Sequence, residues 1–208
     1  MLNLEKNFFK KRILIYGLGK SGLSTYSFLK KSNVISLFDD RIIAKKKIKD
    51  IYTTYKEITK KEFDCIIISP GIDINNCKLS RFLKKNHKKI YTDLDIFYSR
   101  YAFNQKITIT GTNGKSTTAK LLYDILKDQK KDVRLVGNIG NPVLLEKKIK
   151  KDTLFVIEAS SYQLEYSKLF KTNISLILNI SPDHLERHKT INKYVSAKFK
   201  LIKNQSKN

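Results

Sequence analysis

Short apolar runs alternate along the chain with stretches of helical spacing. In the first half these runs cover positions 12–16, 34–38 and 63–68. Runs without polar alternation indicate strands that are buried on both faces, as in a parallel sheet. Leu23, Tyr26 and Leu29 follow the first run at helical spacing. The pattern therefore predicts a Rossmann-like α/β domain, with a further helix at 81–85 and a short strand at 89–92.

The same alternation continues in the second half of the chain. A polar patch from Ser99 to Gln105 separates the two halves. We therefore predict one α/β domain at 1–103 and a second at 104–208. In the second domain, strands are predicted at 106–110, 133–136, 153–157 and 174–179, and helical spacing follows position 115 and covers 191–202.

The chain is organised around a strand, a glycine loop and a helix start at positions 106–118. Gly111 and Gly114 allow a tight turn whose N–H groups, with a helix N-terminus, cradle phosphate oxygens. Lys115 can reach the outer phosphates, and Ser116 offers a hydroxyl to magnesium. The general phosphate-loop motif has a glycine where this chain has Ile109, so the alternative is a plain strand–turn–helix corner.

A second glycine motif, Gly17-Leu-Gly-Lys-Ser-Gly22, lies between the first strand and its helix. This placement is typical of dinucleotide-binding folds, in which an acidic residue such as Asp39 or Asp40 meets a ribose hydroxyl. The alternative is a tight turn that only packs the helix on the strand. Ser69-Pro-Gly71 ends the third strand, where it either lines the ligand crevice or forms an ordinary βα turn.

Polar side chains also follow the strands of the second half. Glu158 ends a buried strand beside the phosphate loop, where a carboxylate can hold magnesium, and a helix-capping acid is the alternative. Asp183 and His184 follow the strand at 174–179 and face the same crevice. We interpret His188 as a bystander on the surface. By its spacing alone, Lys198 is one more solvated lysine.

Composition limits the classes of protein to which this chain can belong. With 208 residues and 41% hydrophobic residues the chain can bury a core, and it has no apolar run long enough to span a bilayer. Cys65 and Cys77 are neither a disulfide framework nor a metal cluster, and the N-terminus lacks a signal-peptide pattern. We therefore expect a cytosolic protein without membrane insertion. The net charge of +23 favours acidic partners, but the lysines are spread throughout and form no aromatic-interleaved stripe, so we expect no nucleic-acid partner.

These motifs, in this order, resemble the Mur ligase family along nearly the whole chain. The segment Glu158-Ala-Ser-Ser-Tyr-Gln-Leu164 is most similar to the branch that adds D-glutamate. Other members, and the folylpolyglutamate synthetases, share the phosphate loop but differ in this segment. The resembling segments are 17–22, 69–72, 111–117, 137–140, 158–165, 179–184 and 194–198.

The resemblance implies an ATP-dependent amide ligase of peptidoglycan synthesis. Its partners would be UDP-N-acetylmuramoyl-L-alanine, D-glutamate and ATP, with two Mg²⁺ ions as cofactors. ATP would phosphorylate the alanyl carboxylate, and the amine of D-glutamate would attack the resulting acyl phosphate. The first domain would bind the UDP group and not NAD.

The resemblance also implies roles for individual residues. The catalytic residues would be Lys115, His184 and Lys198, with Lys198 carbamylated. The metal ligands would be Ser116, Glu158, His184 and the modified Lys198. ATP would contact Gly111, Thr112, Asn113, Gly114, Lys115, Ser116 and Thr117. The muramoyl substrate would contact Gly19, Ser21, Gly22, Asp39, Asp40, Ser69, Pro70, Gly71, Asn138 and Ser160.

Two features depart from the family pattern. The stretch between His184 and Lys198 is slightly shorter, and family members continue beyond Asn208 with more of the central domain and a C-terminal domain. We therefore expect an incomplete P-loop central domain with an exposed sheet edge, and at most weak catalysis. The open alternatives are a non-catalytic UDP-sugar- or nucleotide-binding module, a basic nucleic-acid-binding protein, and a Mur ligase that adds a different amino acid. The sequence does not indicate an oligomeric state.

Overall fold

The computed structural model describes residues 5–41 and 53–205 and divides the chain into two units, Met1–Arg100 and Tyr101–Asn208. Each unit contains one four-stranded parallel sheet. The predicted α/β class, with a Rossmann-like first half and an α/β second half, is therefore confirmed.

The first unit alternates strands and helices in the order that the apolar runs predict. Its elements are β1 (Arg12–Tyr16), α1 (Lys20–Leu29), β2 (Val34–Phe38), α2 (Tyr55–Lys60), β3 (Cys65–Ile68), α3 (Ser80–Lys85), β4 (Ile90–Tyr91) and α4 (Asp93–Arg100), with 3₁₀ turns at Glu5–Phe8 and His87–Lys89. The strand order is β2-β1-β3-β4. Because the order reverses beside β1, the carboxyl ends of β1 and β3 border the crevice where such sheets bind ligands.

The second unit repeats this plan with a different strand order. Its elements are β5 (Lys106–Thr110), α5 (Lys115–Asp128), β6 (Val133–Gly137), β7 (Leu154–Glu158), α6 (Ser161–Glu165), β8 (Ile174–Ile177), α7 (Leu185–His188) and α8 (Ile191–Lys203). The order β6-β7-β5-β8 places β5 between β7 and β8. The loops after β5, β7 and β8 therefore meet at one edge of the sheet.

Helices α5 and α8 both pack on the second sheet. Ile109 and Val156 pack with Ala119 of α5 in a buried apolar cluster. α8 packs on α6 and on β8. β8 is an edge strand of the described sheet, and its first residue, Ile174, is 51% exposed. The predicted exposed edge is therefore present among the described residues.

Helices α2, α4, α6 and α7 were not predicted, and α2, α6 and α7 are too short to establish a hydrophobic period. Two of these short helices, α2 and α6, have a recognisable start. Both begin with a capping box, in which a cap side chain and the residue three positions later satisfy each other's backbone N–H groups. In α2 the pair is Thr54 and Glu57, and in α6 it is Ser160 and Gln163. Across the described ranges, no helix combines the length and the apolar character needed to cross a membrane.

Candidate nucleotide and sugar-nucleotide sites

The phosphate loop joins β5 to α5 through two glycines with positive φ. Gly111 has φ +153°, and Gly114 has φ +80° at the N-cap of α5. A left-handed N-cap is inexpensive for glycine and strained for residues with a side chain. The N–H groups in the first turn of α5, a helix of 14 residues, have no partners within the helix and carry its positive dipole end. This geometry suits an anion, and Thr117 lies within that first turn.

Two lysines place their ammonium groups on carbonyls of this loop. Lys115 Nζ donates to the carbonyl of Thr112 at 2.6 Å, and Lys198 Nζ donates to the carbonyl of Gly111 at 2.7 Å. The loop therefore has two cations beside the helix N-terminus, which favours polyphosphate. Asn113 also lies in the loop, where its N–H donates to Asn179 Oδ1.

Glu158 lies at the carboxyl end of β7 and is completely buried. Its Oε2 accepts from Ser116 Oγ at 2.8 Å, and its Oε1 accepts from Asn138 Nδ2 at 2.9 Å. Both donors are neutral groups, so neither of these two contacts offsets the negative charge of the carboxylate. A carboxylate removed from water is stabilised most by a cation. The donor set of Ser116 and Glu158 therefore fits a hard divalent cation such as Mg²⁺.

Lys198 is buried and not solvated, so the interpretation from spacing alone was wrong. Its side chain is 1% exposed, and Nζ lies 4.5 Å from the centre of the Tyr194 ring. Burial, with a smaller contribution from the nearby charge of Lys115, lowers the pKa of Lys198 to about 8. Near neutral pH most of the amine therefore remains charged, but the neutral form is far more populated than in a solvated lysine. The signal was present in the sequence, because Tyr194, Ala197, Lys198 and Leu201 follow helical spacing and form the buried face of α8.

His184 is half-exposed at the start of α7 and has a left-handed backbone, with φ +54°. Its ring lies 4.7 Å from the Tyr162 ring and 6.4 Å from the Tyr194 ring, measured between centroids. Its Nε2 lies 3.4 Å from Asp183 Oδ2. His184 and Lys198 therefore lie beside the same tyrosine, Tyr194. Within the described residues, no three His, Cys, Asp or Glu side chains form a group that could hold a metal.

His188 is also buried, so its interpretation as a surface bystander was wrong. It is 3% exposed, and its Nε2 forms a 3.0 Å hydrogen bond with Ser161 Oγ. Its ring packs between those of Tyr162 and Tyr194, at centroid distances of 5.6 and 5.4 Å. Burial lowers the pKa of His188, which favours the neutral imidazole. Three-dimensional packing decides this burial, and the residues around His188 gave no sign of it.

Asn138 and Ser160, which are predicted to contact the substrate, form hydrogen bonds within the second unit. Asn138 follows β6, and besides its side-chain bond to Glu158 its N–H donates to the carbonyl of Glu158 at 2.9 Å. Ser160 is the N-cap of α6, and its Oγ accepts from the N–H of Gln163 at 3.2 Å. Both residues lie at the same sheet edge as the phosphate loop, because β6 and β7 are adjacent parallel strands.

In the first unit, the glycine motif brings the start of α1 against the loop after β1. A Cβ added at Gly22 would lie 1.8 Å from the carbonyl oxygen of Gly17, so only glycine fits there. Ser69 Oγ donates to that same carbonyl at 2.6 Å and joins the loops after β1 and β3. Gly19 is the N-cap of α1 and, like Gly71 after Pro70, has open space where a Cβ would be.

Three acidic residues of the first unit accept hydrogen bonds from other protein groups. Asp39 Oδ2 accepts from the N–H of Leu18 in the glycine loop at 2.6 Å. Asp40 Oδ1 accepts from the hydroxyl of Tyr16 at 2.5 Å. Ser21 Oγ donates to Asp93 Oδ2 at 2.6 Å, and burial raises the pKa of Asp93. Asp39 and Asp40 therefore contact the end of β1 and the loop after it, which border the crevice.

Two domain families match the chain in this order. Residues 11–90 match the Mur ligase MurD-like N-terminal domain, and residues 109–208 match the Mur ligase middle domain. Together the two matches span most of the chain, and each falls within one structural unit. The chain belongs to the Mur ligase family.

Curated relatives of similar sequence carry the name of one enzyme within this family. UDP-N-acetylmuramoylalanine–D-glutamate ligase of Rickettsia bellii is 35% identical over 95% of this chain and 44% of its own length. The enzyme of the same name from Caldicellulosiruptor bescii is 39% identical over 93% of this chain and 45% of its own length. That of Wolbachia pipientis is 37% identical over 97% and 40%. The chain thus spans less than half the length of these curated relatives.

Solved structures share the fold. The UDP-N-acetylmuramate:L-alanyl-gamma-D-glutamyl-meso-diaminopimelate ligase of Neisseria meningitides superposes with a TM-score of 0.61 at 13% identity, over 96% of this chain and 69% of that chain. The UDP-N-acetylmuramate-alanine ligase of Thermotoga maritima gives 0.53 at 20% identity, over 94% and 47%. At these identities the similarity concerns the fold alone.

Proposed function

We propose that this chain carries the sugar-nucleotide-binding and ATP-binding parts of a ligase that joins D-glutamate to UDP-N-acetylmuramoyl-L-alanine in peptidoglycan synthesis. The observation that carries this proposal is the contact between Ser116 of the phosphate loop and the buried Glu158, beside Lys115 and Lys198. This is the arrangement of groups that phosphoryl transfer requires. The names of the relatives supply the identity of the two substrates.

In this reaction ATP converts the alanyl carboxylate into an acyl phosphate, because oxide is too poor a leaving group for direct attack by an amine. Lys115 offsets charge on the phosphates, and the N-terminus of α5 holds their oxygens. The D-glutamate amine then attacks the carbonyl, and phosphate leaves. Binding and orienting these groups is the main contribution of the chain.

Ser116 and Glu158 would hold one Mg²⁺ ion, which would supply charge neutralisation on the phosphate oxygens. His184 and Lys198 are the proposed ligands of a second ion. The ammonium form of a lysine cannot ligate a cation. Reaction of the neutral amine with carbon dioxide gives a carbamate, which offers the oxygen ligands that Mg²⁺ prefers, and releases a proton. The lowered pKa of Lys198, to about 8, supports this reaction because the neutral amine is the nucleophile.

We assign the remaining predicted residues to the sugar nucleotide. Ser21 and its neighbours Gly19 and Gly22 would line the diphosphate, with Ser69, Pro70 and Gly71 on the adjacent loop. Asp39 and Asp40 would lie by the uridine, where their bonds to Leu18 and Tyr16 fix the shape of the crevice. Asn138 and Ser160 would contact the muramoyl-alanine end.

Calorimetric titration with Mg–ADP tests the nucleotide part. We expect saturable binding by the chain and at least about tenfold weaker binding by Lys115→Ala, because a charge-assisted contact to phosphate is lost. Lys120→Ala is the matched control, since Lys120 lies on the same helix and forms an exposed ion pair with Asp124. Equal affinity of both variants, or no binding by the unaltered chain, would refute the assignment.

A further inference from the structure

The phosphate loop is held by a residue outside the glycine motif. Asn179 lies in the loop after β8, and its Oδ1 accepts from the N–H groups of Thr112 at 3.2 Å and Asn113 at 2.9 Å. Its Nδ2 donates back to the carbonyl of Asn113 at 3.1 Å. Its own carbonyl accepts from the N–H of Thr112 at 3.0 Å. One amide side chain therefore satisfies both donors and one acceptor of the loop backbone.

The loop holds the same segment in return. Thr112 Oγ1 accepts from the N–H of Ser181 at 3.0 Å, lies 3.2 Å from the carbonyl of Ser181, and forms a 3.0 Å hydrogen bond with the Tyr194 hydroxyl. Contacts in both directions tie the loop to the segment 179–181 more tightly than one hydrogen bond would. Shortly after this segment the chain reaches His184.

These contacts explain how the loop keeps its shape without the first glycine of the general motif. The N–H groups of Thr112 and Asn113 are already engaged by Asn179. The donors available to a phosphate are then those in the first turn of α5. An amide fits this position because it presents an acceptor and a donor on two separate atoms, whereas an ionised carboxylate of the same length offers acceptors only.

We propose that Asn179 is a positioning residue that fixes the phosphate loop in its receiving shape and couples it to the segment carrying His184. This inference rests on the proposed function, because the loop is taken to bind a nucleotide. Asn179 does not touch the reacting atoms. It acts through the backbone of Thr112 and Asn113.

Asn179→Ala tests the proposal, with Asn173→Ala as its matched control. Asn173 Oδ1 accepts from the N–H of Lys106 at 2.9 Å, so it makes the same kind of side-chain bond to β5 at the opposite end of the strand. We expect Asn179→Ala to bind Mg–ADP about tenfold more weakly and to bind adenosine unchanged, because only phosphate contacts depend on the loop. The control should keep both affinities.

Hydrogen exchange of the ligand-free chain gives a second readout. We expect the amides of Thr112 and Asn113 to be protected in the unaltered chain. The amide of Asn113 should exchange at least about tenfold faster in Asn179→Ala, whereas that of Thr112 keeps its bond to the backbone carbonyl of residue 179 and should change less. Asn179→Asp should restore much of this protection, because its carboxylate keeps the acceptor, while its charge still weakens Mg–ADP binding.

Each result decides a separate question. If the unaltered chain bound no Mg–ADP, the proposed function would fail, but protection of the two amides would still test the hydrogen bonds of Asn179. If Asn179→Ala matched the control in affinity and in exchange, the positioning role would be wrong. If alanine prevented folding, unprotected amides in the unaltered chain would overturn the proposal without any variant.

Discussion

Replacing Gly22 with alanine should disrupt the first unit, because the start of α1 lies directly against the loop after β1. The added Cβ would lie 1.8 Å from the carbonyl oxygen of Gly17, 2.9 Å from its carbonyl carbon and 3.0 Å from Ser69 Oγ. The nearest two atoms belong to the backbone and cannot rotate away. The helix or the loop must therefore move by more than about 1 Å to restore an ordinary contact.

The expected cost follows from that displacement. Overpacking a core with one extra group costs about 1–3 kcal/mol when side chains can adjust. Because backbone has to move here, we expect a loss of at least about 3 kcal/mol in the free energy of unfolding of this unit. For a unit of this size the melting temperature should fall by more than about 12 °C.

Gly19→Ala is the control within the same motif. Its φ is −71°, and an added Cβ would have no atom within 4 Å, so we expect a change within about 1 kcal/mol, the usual cost of a poorer N-cap. Urea unfolding followed by circular dichroism should separate the two variants, with sugar-nucleotide binding as a second readout. A stability of Gly22→Ala close to that of Gly19→Ala would refute the packing analysis.

Three further perturbations address the second unit. Thr110→Val should raise the free energy of unfolding by about 1 kcal/mol, because the Thr110 hydroxyl is buried without a hydrogen-bond partner among the described residues; a loss of stability in urea would contradict this. Burial lowers the pKa of Lys106 from 10.5 to about 8, so the folded state favours the neutral amine and stability should rise between these pH values. Lys106→Met should lack this rise in stability with pH. If the free energy of unfolding had the same pH dependence in both proteins, Lys106 would not be its source. Glu158→Gln should fold but lose the Mg²⁺ dependence of nucleotide binding, since the amide keeps the shape without the charge; calorimetry with and without Mg²⁺ would detect an unchanged dependence.

The strands were predictable because strands buried on both faces leave a continuous apolar run. β1, β2 and β5 have the predicted bounds, whereas the third strand begins at Cys65 and not at Phe63. Helices α2 and α6 begin with capping boxes and are too short to show a hydrophobic period. α2 could have been found from Thr54 and Glu57, which have the spacing of a capping box.

The parts of the site whose backbone shape is set by a sequence motif could be predicted. The parts whose position depends on three-dimensional packing could not. Gly111 and Gly114 predicted the tight turn between β5 and α5, and Glu158 at a strand end predicted a carboxylate beside it. The position of Asn179 against the loop depends on strand order, since β8 lies beside β5 although most of the second unit separates them in sequence. The burial of His188 depends in the same way on its contacts with Tyr162 and Ser161.

We propose that the first unit binds the sugar nucleotide of a D-glutamate-adding Mur ligase. Calorimetric titration with UDP-N-acetylmuramoyl-L-alanine at moderate salt tests this most directly, with random duplex DNA as the control for the net charge of +23. Saturable binding of the sugar nucleotide, without comparable binding of DNA, is the predicted result. Binding of DNA alone would contradict the claim and would make the charge the functional feature.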